Sequence, residues 1–259
     1  MAEFDPSKAS IARVYDYVLG GKDNFAADRE VGDRILSLAP ELAAVVRENK
    51  AMIATAVTWA AEQGISQFID LGCGLPTEPS TRQCAQAVVP GARVACIDND
   101  PVVLSHLRAL LYQDPAALVV DQDLEDADAV LGAVSSFIDL NRPVGLLMGS
   151  LLHFYDDPAA RDLVARYAAA LAPGSYVVLS TVAVTPGPDV DKAVAVYSEG
   201  THPFFPHSAA ELTAYFGDLE LVPPGVADAR TWEPGRETVP VPGPRGVWMY
   251  GGIARVPGN

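Results

Sequence analysis

Three acids stand where short apolar runs give way to turns: Asp70 in Phe68-Ile69-Asp70-Leu71-Gly72-Cys73-Gly74, Asp98 in Ile97-Asp98-Asn99-Asp100-Pro101, and Asp123 in Asp121-Gln122-Asp123-Leu124. Gly72 and Gly74 let the backbone take positive φ and approach a ligand closely, because no Cβ intervenes. An acid immediately before Gly-x-Gly repels a pyrophosphate and suits a ligand with a positive end. A carboxylate at the second tip can accept from both hydroxyls of a ribose, and one at the third from an exocyclic adenine amine. Each acid alone reads as a helix N-cap. On adjacent strand ends, together, they suggest a nucleoside carrying a cationic tail. A P-loop would need G-x-x-x-x-G-K-[ST]. A dinucleotide site would need a third glycine, where this chain has Leu75-Pro76-Thr77. A nicotinamide-dependent oxidoreductase is disfavoured on both counts.

The elements that must position these acids alternate. Apolar runs at 67–71, 93–98, 117–121, 143–148 and 175–182 read as strands, with helices expected near 79–89, 100–112, 125–138 and 156–171. Fully apolar strands separated by helices imply a parallel sheet covered on both faces. Before the first strand, three helices are expected: one over 8–19 opened by Ser7 and stopped by Gly20-Gly21, one over 26–38, and one over 40–63. After residue 183 the rhythm breaks into helices at 189–199 and 208–216, then strands near 219–222 and 246–255 forming an antiparallel hairpin. The expected organisation is a helical cap over 1–64, followed by an α/β domain over 65–259 with a cap insertion at 185–217.

Composition removes several function classes. The 259 residues carry a net charge of -15 and no Lys/Arg cluster, which disfavours nucleic acid and anionic membranes as partners. No apolar run reaches membrane-spanning length and no signal peptide is visible, so a cytoplasmic protein is expected. Cys73, Cys84 and Cys96 lack C-x-x-C spacing and read as free thiols, and no metal is expected. Cys73 reads as a small residue filling a tight loop, with no basic neighbour in sequence to activate it.

The three acid-bearing motifs resemble those of class I S-adenosylmethionine-dependent methyltransferases, over about residues 65–255. A narrower resemblance runs through Ala12-Arg13-Val14-Tyr15-Asp16-Tyr17-Val18-Leu19-Gly20-Gly21-Lys22-Asp23-Asn24-Phe25-Ala26-Ala27-Asp28-Arg29 and the 70–77 and 98–106 stretches. It is to the actinobacterial S-adenosyl methyltransferase family (DUF574), and it spans nearly the whole chain. It implies a Rossmann-like sheet of seven strands, mostly parallel, with S-adenosyl-L-methionine as cofactor. Asp70, Gly72 and Gly74 would line its methionine and ribose end. Asp98 would hold the ribose hydroxyls, Asn99 the adenine face, and Asp123 with Leu124 the adenine edge. The polar loop at 20–25 is expected to close over the cofactor, with Lys22 or Asn24 meeting the methionine carboxylate and Tyr15 and Phe25 shielding the sulfonium.

The fourth strand leads into Gly149-Ser150-Leu151-Leu152-His153-Phe154, a segment that faces the transferable methyl in class I enzymes. Ser150 joins the expected cofactor set. His153 is a candidate general base, with His207 and His202 as rivals in an aromatic segment suited to an acceptor pocket, and Tyr15 as a further candidate catalytic group. The expected acceptor is a small molecule, of the aromatic or indole type found in secondary metabolism. A homodimer is compatible with this reading. The alternative is a non-catalytic S-adenosylmethionine-binding regulatory protein.

Overall fold

The computed structural model describes residues 4–237 and 246–258. Residues 1–3 of the expected cap, residues 238–245 before the last strand and residue 259 lie outside that range. Ser10, not Ser7, caps α1 (Ile11–Leu19): its Oγ accepts from the Arg13 N–H at 3.3 Å. Ser7 instead turns back on the Asp5 carboxylate. Gly20 ends the helix at φ 87°, a conformation glycine takes without a Cβ clash. α2 (Ala26–Leu38) and the long α3 (Leu42–Glu62) follow. Val14, Val31, Ile35, Met52 and Ala56 of these helices join Phe68 and Val94 of the sheet in one apolar cluster.

The chain then alternates through β1 (Gln67–Leu71), α4 (Thr81–Val88), β2 (Arg93–Asp98), α5 (Pro101–Leu110), β3 (Ala117–Asp121), α6 (Ala127–Val134) and β4 (Gly145–Met148). A 3₁₀ turn (Leu152–Phe154), α7 (Asp157–Ala169) and β5 (Tyr176–Val184) complete the parallel part. Next come α8 (Pro188–Gly200), α9 (Ala209–Tyr215), and the strands β6 (Glu220–Leu221), β7 (Ala227–Asp228) and β8 (Val247–Arg255). The sheet order is β3-β2-β1-β4-β5-β8-β6, with β7 also on β8. β8 runs antiparallel between β5 and β6. The sheet has eight described strands rather than seven, because the two-residue β7 pairs Ala227 and Asp228 with Gly251 and Tyr250. So short a strand leaves no period-2 signal in the sequence.

Strand alternation divides the core. Phe68 of β1 packs on the face that carries α3, whereas Ile69 and Leu71 belong to a second cluster with α6, α7 and α9. Burial on both faces explains why the parallel strands read as continuous apolar runs. Most polar groups stand at the strand ends, where the loops leave the sheet; Ser180 and Thr181, buried within β5, are exceptions.

Candidate active site

The carboxyl ends of β1, β2, β3 and β4 form the floor of a cavity of about 760 Å³, within the size range of small-molecule sites. Asp70, Asp98, Asp121 and Asp123 reach it from the floor. Its roof is α1, through Ile11, Ala12, Tyr15, Asp16 and Leu19, together with Asn49, Lys50 and Ile53 of α3. The roof is therefore a helix rather than the 20–25 loop.

Gly72 and Gly74 both have positive φ, at 61° and 68°. A Cβ on Gly72 would also come within 3.0 Å of Leu151. The Gly74 N–H donates to Asp98 Oδ2 and the Asp100 N–H to Asp98 Oδ1, both at 2.9 Å. Asp98 thus ties the glycine loop to the tip of β2. Each of its oxygens keeps a second lone pair for another donor. Burial pushes its carboxyl up to about 6, partly offset by those two N–H groups. Asp70 is also raised by burial; Thr81 Oγ1–H, donating to it at 2.6 Å, and the positive charge of Lys50 oppose the shift.

Lys50 is the only Lys or Arg among the cavity's described lining residues. Burial lowers its ammonium, and Asp70 pulls it back toward the charged form. The ammonium sits 5.7 Å from the centroid of the Tyr15 ring. Beside it, Asn49 Nδ2–H donates to Tyr15 Oη at 3.2 Å, and Asn49 Oδ1 accepts from Ser180 Oγ–H at 2.7 Å. Ser180 Oγ in turn accepts from the Ser150 N–H at 2.9 Å. Ser150 has φ 58°, unusual for a side chain other than glycine. Burial raises the Tyr15 phenol to about 12.

Asn99, Asp123, Leu124 and Ser150 line the cavity with Asp70, Gly72, Gly74, Asp98 and Tyr15. Lys22, Asn24 and Phe25 do not. Lys22 is exposed. Asn24 Nδ2–H donates to Asp16 Oδ2 and to the Gly21 carbonyl, folding the loop on itself. The Phe25 ring packs on Phe4 and lies 5.4 Å from the Arg13 guanidinium. The structure therefore gives no support to a methionine-carboxylate contact from Lys22 or Asn24.

The three histidines separate. His207 is buried: Nε2–H donates to the Leu152 and Tyr155 carbonyls at 3.1 Å, so Nδ1 accepts from Tyr215 Oη–H at 3.0 Å. Both nitrogens are engaged in holding the 152–155 turn to α9. His153 lies outside the large cavity, and burial depresses its imidazole to about 3. His202 lines the cavity with Phe154 and Tyr155. The Cys73 thiol is pushed well up, first by its hydrogen bond with Cys96 and then by burial, and stays protonated.

Sequence reasoning missed Asn49 and Lys50. The available signal was a polar pair on the apolar stripe of α3, where Val45, Val46, Met52 and Ala56 are buried at helical spacing.

A parallel sheet closed by an antiparallel strand, with acids at successive tips around a nucleoside-sized cavity, defines a class I S-adenosylmethionine-dependent methyltransferase. The chain belongs to the S-adenosyl methyltransferase family, whose model matches residues 1–257. It is similar to a candidate methyltransferase from Thermobifida fusca YX, with 38% identity over 97% of this chain and 96% of that one and a TM-score of 0.90. It also resembles a DUF574-family protein from Streptomyces avermitilis MA-4680, with 33% identity over 98% and 99% of the two chains and a TM-score of 0.86. Mitomycin 7-O-methyltransferase shares the fold at 18% identity and a TM-score of 0.50, over 97% of this chain and 73% of its own. No curated protein matches the chain. The cofactor is S-adenosyl-L-methionine. No described helix is long and apolar enough to cross a membrane.

Proposed function

We propose that this methyltransferase modifies a small, uncharged, aromatic or indole-type specialised metabolite. The observation that carries this reading is the wall beyond the acids. There the cavity is bordered by Ile11, Ile53, Leu151, Phe154 and Tyr155, with no basic surface for an anionic polymer.

The residues present fit the cofactor. Asp98 has lone pairs left for two ribose hydroxyls, Asn99 would lie against the adenine face, and Asp123 and Leu124 would meet its edge. Gly72 and Gly74 allow close approach of the backbone. Asp70 supplies negative charge for the amino and sulfonium end, and Lys50 is the cation for the carboxylate, in place of Lys22. Tyr15 and Ser150 border the reacting end. When bound, S-adenosylmethionine supplies a methyl group on a positively charged sulfur, which an acceptor atom displaces.

The chain's contribution is orientation and field. α1 covers the cavity, and the buried acids favour positive charge in a site where such interactions are strengthened. Fixing the acceptor in line with the methyl group supplies much of the barrier reduction. At neutral pH the Tyr15 phenol stays protonated, and His207 has both nitrogens in use. The reading thus favours acceptors whose proton leaves to solvent or to His202 at the cavity rim.

The test is transfer of labelled methyl from S-adenosylmethionine to a panel of phenols, indoles and quinolones. Expected is incorporation into at least one ring class. Cofactor binding by calorimetry without transfer to any ring compound would overturn the acceptor class.

A further inference from the structure

A second, smaller cleft lies on the other side of Tyr15 and Ser150, and these two residues line both spaces. Its walls come from α1, α2, α3, α8 and β5, through Val14, Ile35, Val46, Ala193 and Val182. Among the described lining residues there is no Asp, Glu, Lys or Arg. The polar groups facing it are Tyr15, Tyr197, Ser150 and His153. This composition rejects ions, because transferring a charge into such walls without a partner is strongly unfavourable.

His153 is 3% exposed, and its ring lies between Phe154 and Phe204, at centroid distances of 4.5 and 4.8 Å. Its one described side-chain hydrogen bond is at Nδ1, which accepts from the Val182 N–H at 3.3 Å. A backbone N–H can only donate, so in the neutral ring the proton must sit on Nε2. Nε2 is therefore a donor without a described partner, on a buried side chain at the wall of an apolar cleft. The atom is not among the fully buried unsatisfied ones, so it keeps a little accessible surface on an otherwise buried ring, where a ligand atom can reach it. A ligand carrying an acceptor atom would satisfy it. The same tautomer removes His153 as a base, since its lone pair already serves Val182.

We propose that this cleft is the methyl-acceptor pocket, and that it takes a flat, uncharged ring compound whose carbonyl or ring nitrogen accepts from His153 Nε2–H. The inference rests on the uncharged acceptor class proposed above, seats its ring in this cleft rather than against the apolar wall of the large cavity, and adds its anchoring atom. A ring held at His153 presents its far edge to the partition of Tyr15 and Ser150, which borders the cofactor cavity. At about 50 Å³ the cleft is a slot, smaller than the roughly 150 Å³ that accommodates benzene in an apolar cavity. Binding therefore widens it. The side chain that would have to turn is Phe204, half-buried, because the backbone beside it is held by the Phe205 N–H on the His153 carbonyl and the His207 N–H on the Val182 carbonyl.

The probes are quinoline and N-methylquinolinium, nearly alike in shape, the second charged and lacking the ring lone pair. Each is titrated into protein saturated with S-adenosylhomocysteine, for the wild type, Ala193→Phe, which fills the slot, and His153→Leu. Expected is quinoline binding at least tenfold tighter than N-methylquinolinium, and a tenfold or greater loss in Ala193→Phe with S-adenosylhomocysteine affinity kept within twofold. His153→Leu should lose about 3- to 10-fold, the usual worth of one hydrogen bond, and His153→Gln, which retains a donor, should lose less. Equal affinity for the two probes, or quinoline binding unaffected by Ala193→Phe, overturns the pocket. Should Ala193→Phe not fold, Val194→Phe fills the same slot and the probe comparison in the wild type still decides. Ring methylation that persists unchanged in Ala193→Phe overturns the pocket and leaves the acceptor class standing. Quinoline excluded by Ala193→Phe, with no ring compound methylated, overturns the acceptor class and leaves the pocket.

Discussion

Asp28 in the roof and Asp98 in the floor are both buried carboxylates, and they are satisfied in opposite ways. Asp28 accepts from the Ser10 N–H at 3.0 Å, the Phe25 N–H at 2.7 Å and Arg13 Nε at 2.9 Å. Arg13 also reaches the Asp100 carboxylate at 3.6 Å and donates to the Lys8 carbonyl at 2.6 Å. Asp98 has only two backbone N–H donors and no ion-pair partner among the described residues. The first carboxylate is complete within the protein. The second keeps lone pairs free for donors that a ligand brings, and burial holds its proton affinity high. Both loci are charged and buried, so spare lone pairs, rather than burial, distinguish the binding acid from the structural one.

The largest expected effect follows from breaking the completed cluster. Arg13→Ala leaves Asp28 buried without its cation, and removing one partner of a buried pair typically costs about 3–5 kcal/mol. Urea unfolding should show that loss, and a change below about 1 kcal/mol would mean that the roof does not depend on the pair. Asp98→Ala acts on the other side of the comparison. Calorimetry should show cofactor affinity falling about 100-fold, as two hydrogen bonds to a charged acceptor disappear, while the far-ultraviolet dichroism is retained. Unchanged affinity would place the ribose elsewhere. Lys50→Met should weaken S-adenosylhomocysteine by about tenfold, the effect of one charge-assisted contact, whereas Lys22→Met should leave it unaltered. The reverse ranking would restore the loop to the site.

The pH dependence sharpens the same contrast. Ribose hydroxyls donate to Asp98, and donors favour the ionised form. Binding therefore lowers a carboxyl that in the free protein titrates at about 6. Linkage then gives affinity that is flat above pH 6 and falls as pH drops through that value, by at most about tenfold per unit. Titrations from pH 8 to pH 5 would show it, and Asp98→Ala should abolish the slope. A slope that survives in the variant would assign the proton to another group.

The floor was legible in the sequence because each of its parts is local. A strand, an acid and a positive-φ glycine are adjacent along the chain, so Asp70, Gly72, Gly74, Asp98 and Asp123 could be placed by order alone. The parallel core was legible for a similar reason, since burial on both faces leaves unbroken apolar runs. The roof was not. Lys22, Asn24 and Phe25 are polar or aromatic in a glycine-rich stretch, yet none of them lines the cavity: Asn24 is spent on Asp16 and Gly21, and Phe25 on Phe4 and Arg13, all close in sequence. Lys50 reaches the cavity only because α3 lies over β1, a packing fact that no spacing announces. His153 and His207 are six residues or fewer from aromatic neighbours, but which nitrogen each commits depends on Val182, Leu152, Tyr155 and Tyr215. Hydrogen-bond direction, which decides whether a histidine is base, donor or brace, is settled by tertiary contacts.

Ser150 joins the two regions and gives the finest test of the comparison. Its backbone is held at φ 58° at the end of β4, while its N–H is fixed by Ser180 and, through Ser180, by Asn49 of the roof. A side chain in this region costs about 1–2 kcal/mol that glycine would not. If the roof supplies the restraint, Ser180→Ala should destabilise the protein by about 1 kcal/mol or somewhat more, through the unpaired N–H and Asn49 oxygen. It should also weaken S-adenosylhomocysteine binding as the strand tip relaxes. Ser150→Gly in the same background leaves the N–H unpaired but makes the conformation cheap to hold, so it should recover most of the binding and, as the strain is relieved, much of the stability. The cycle of single and double variants isolates that coupling. Additive effects on binding would show that the strand tip holds its own shape and that the roof only covers it.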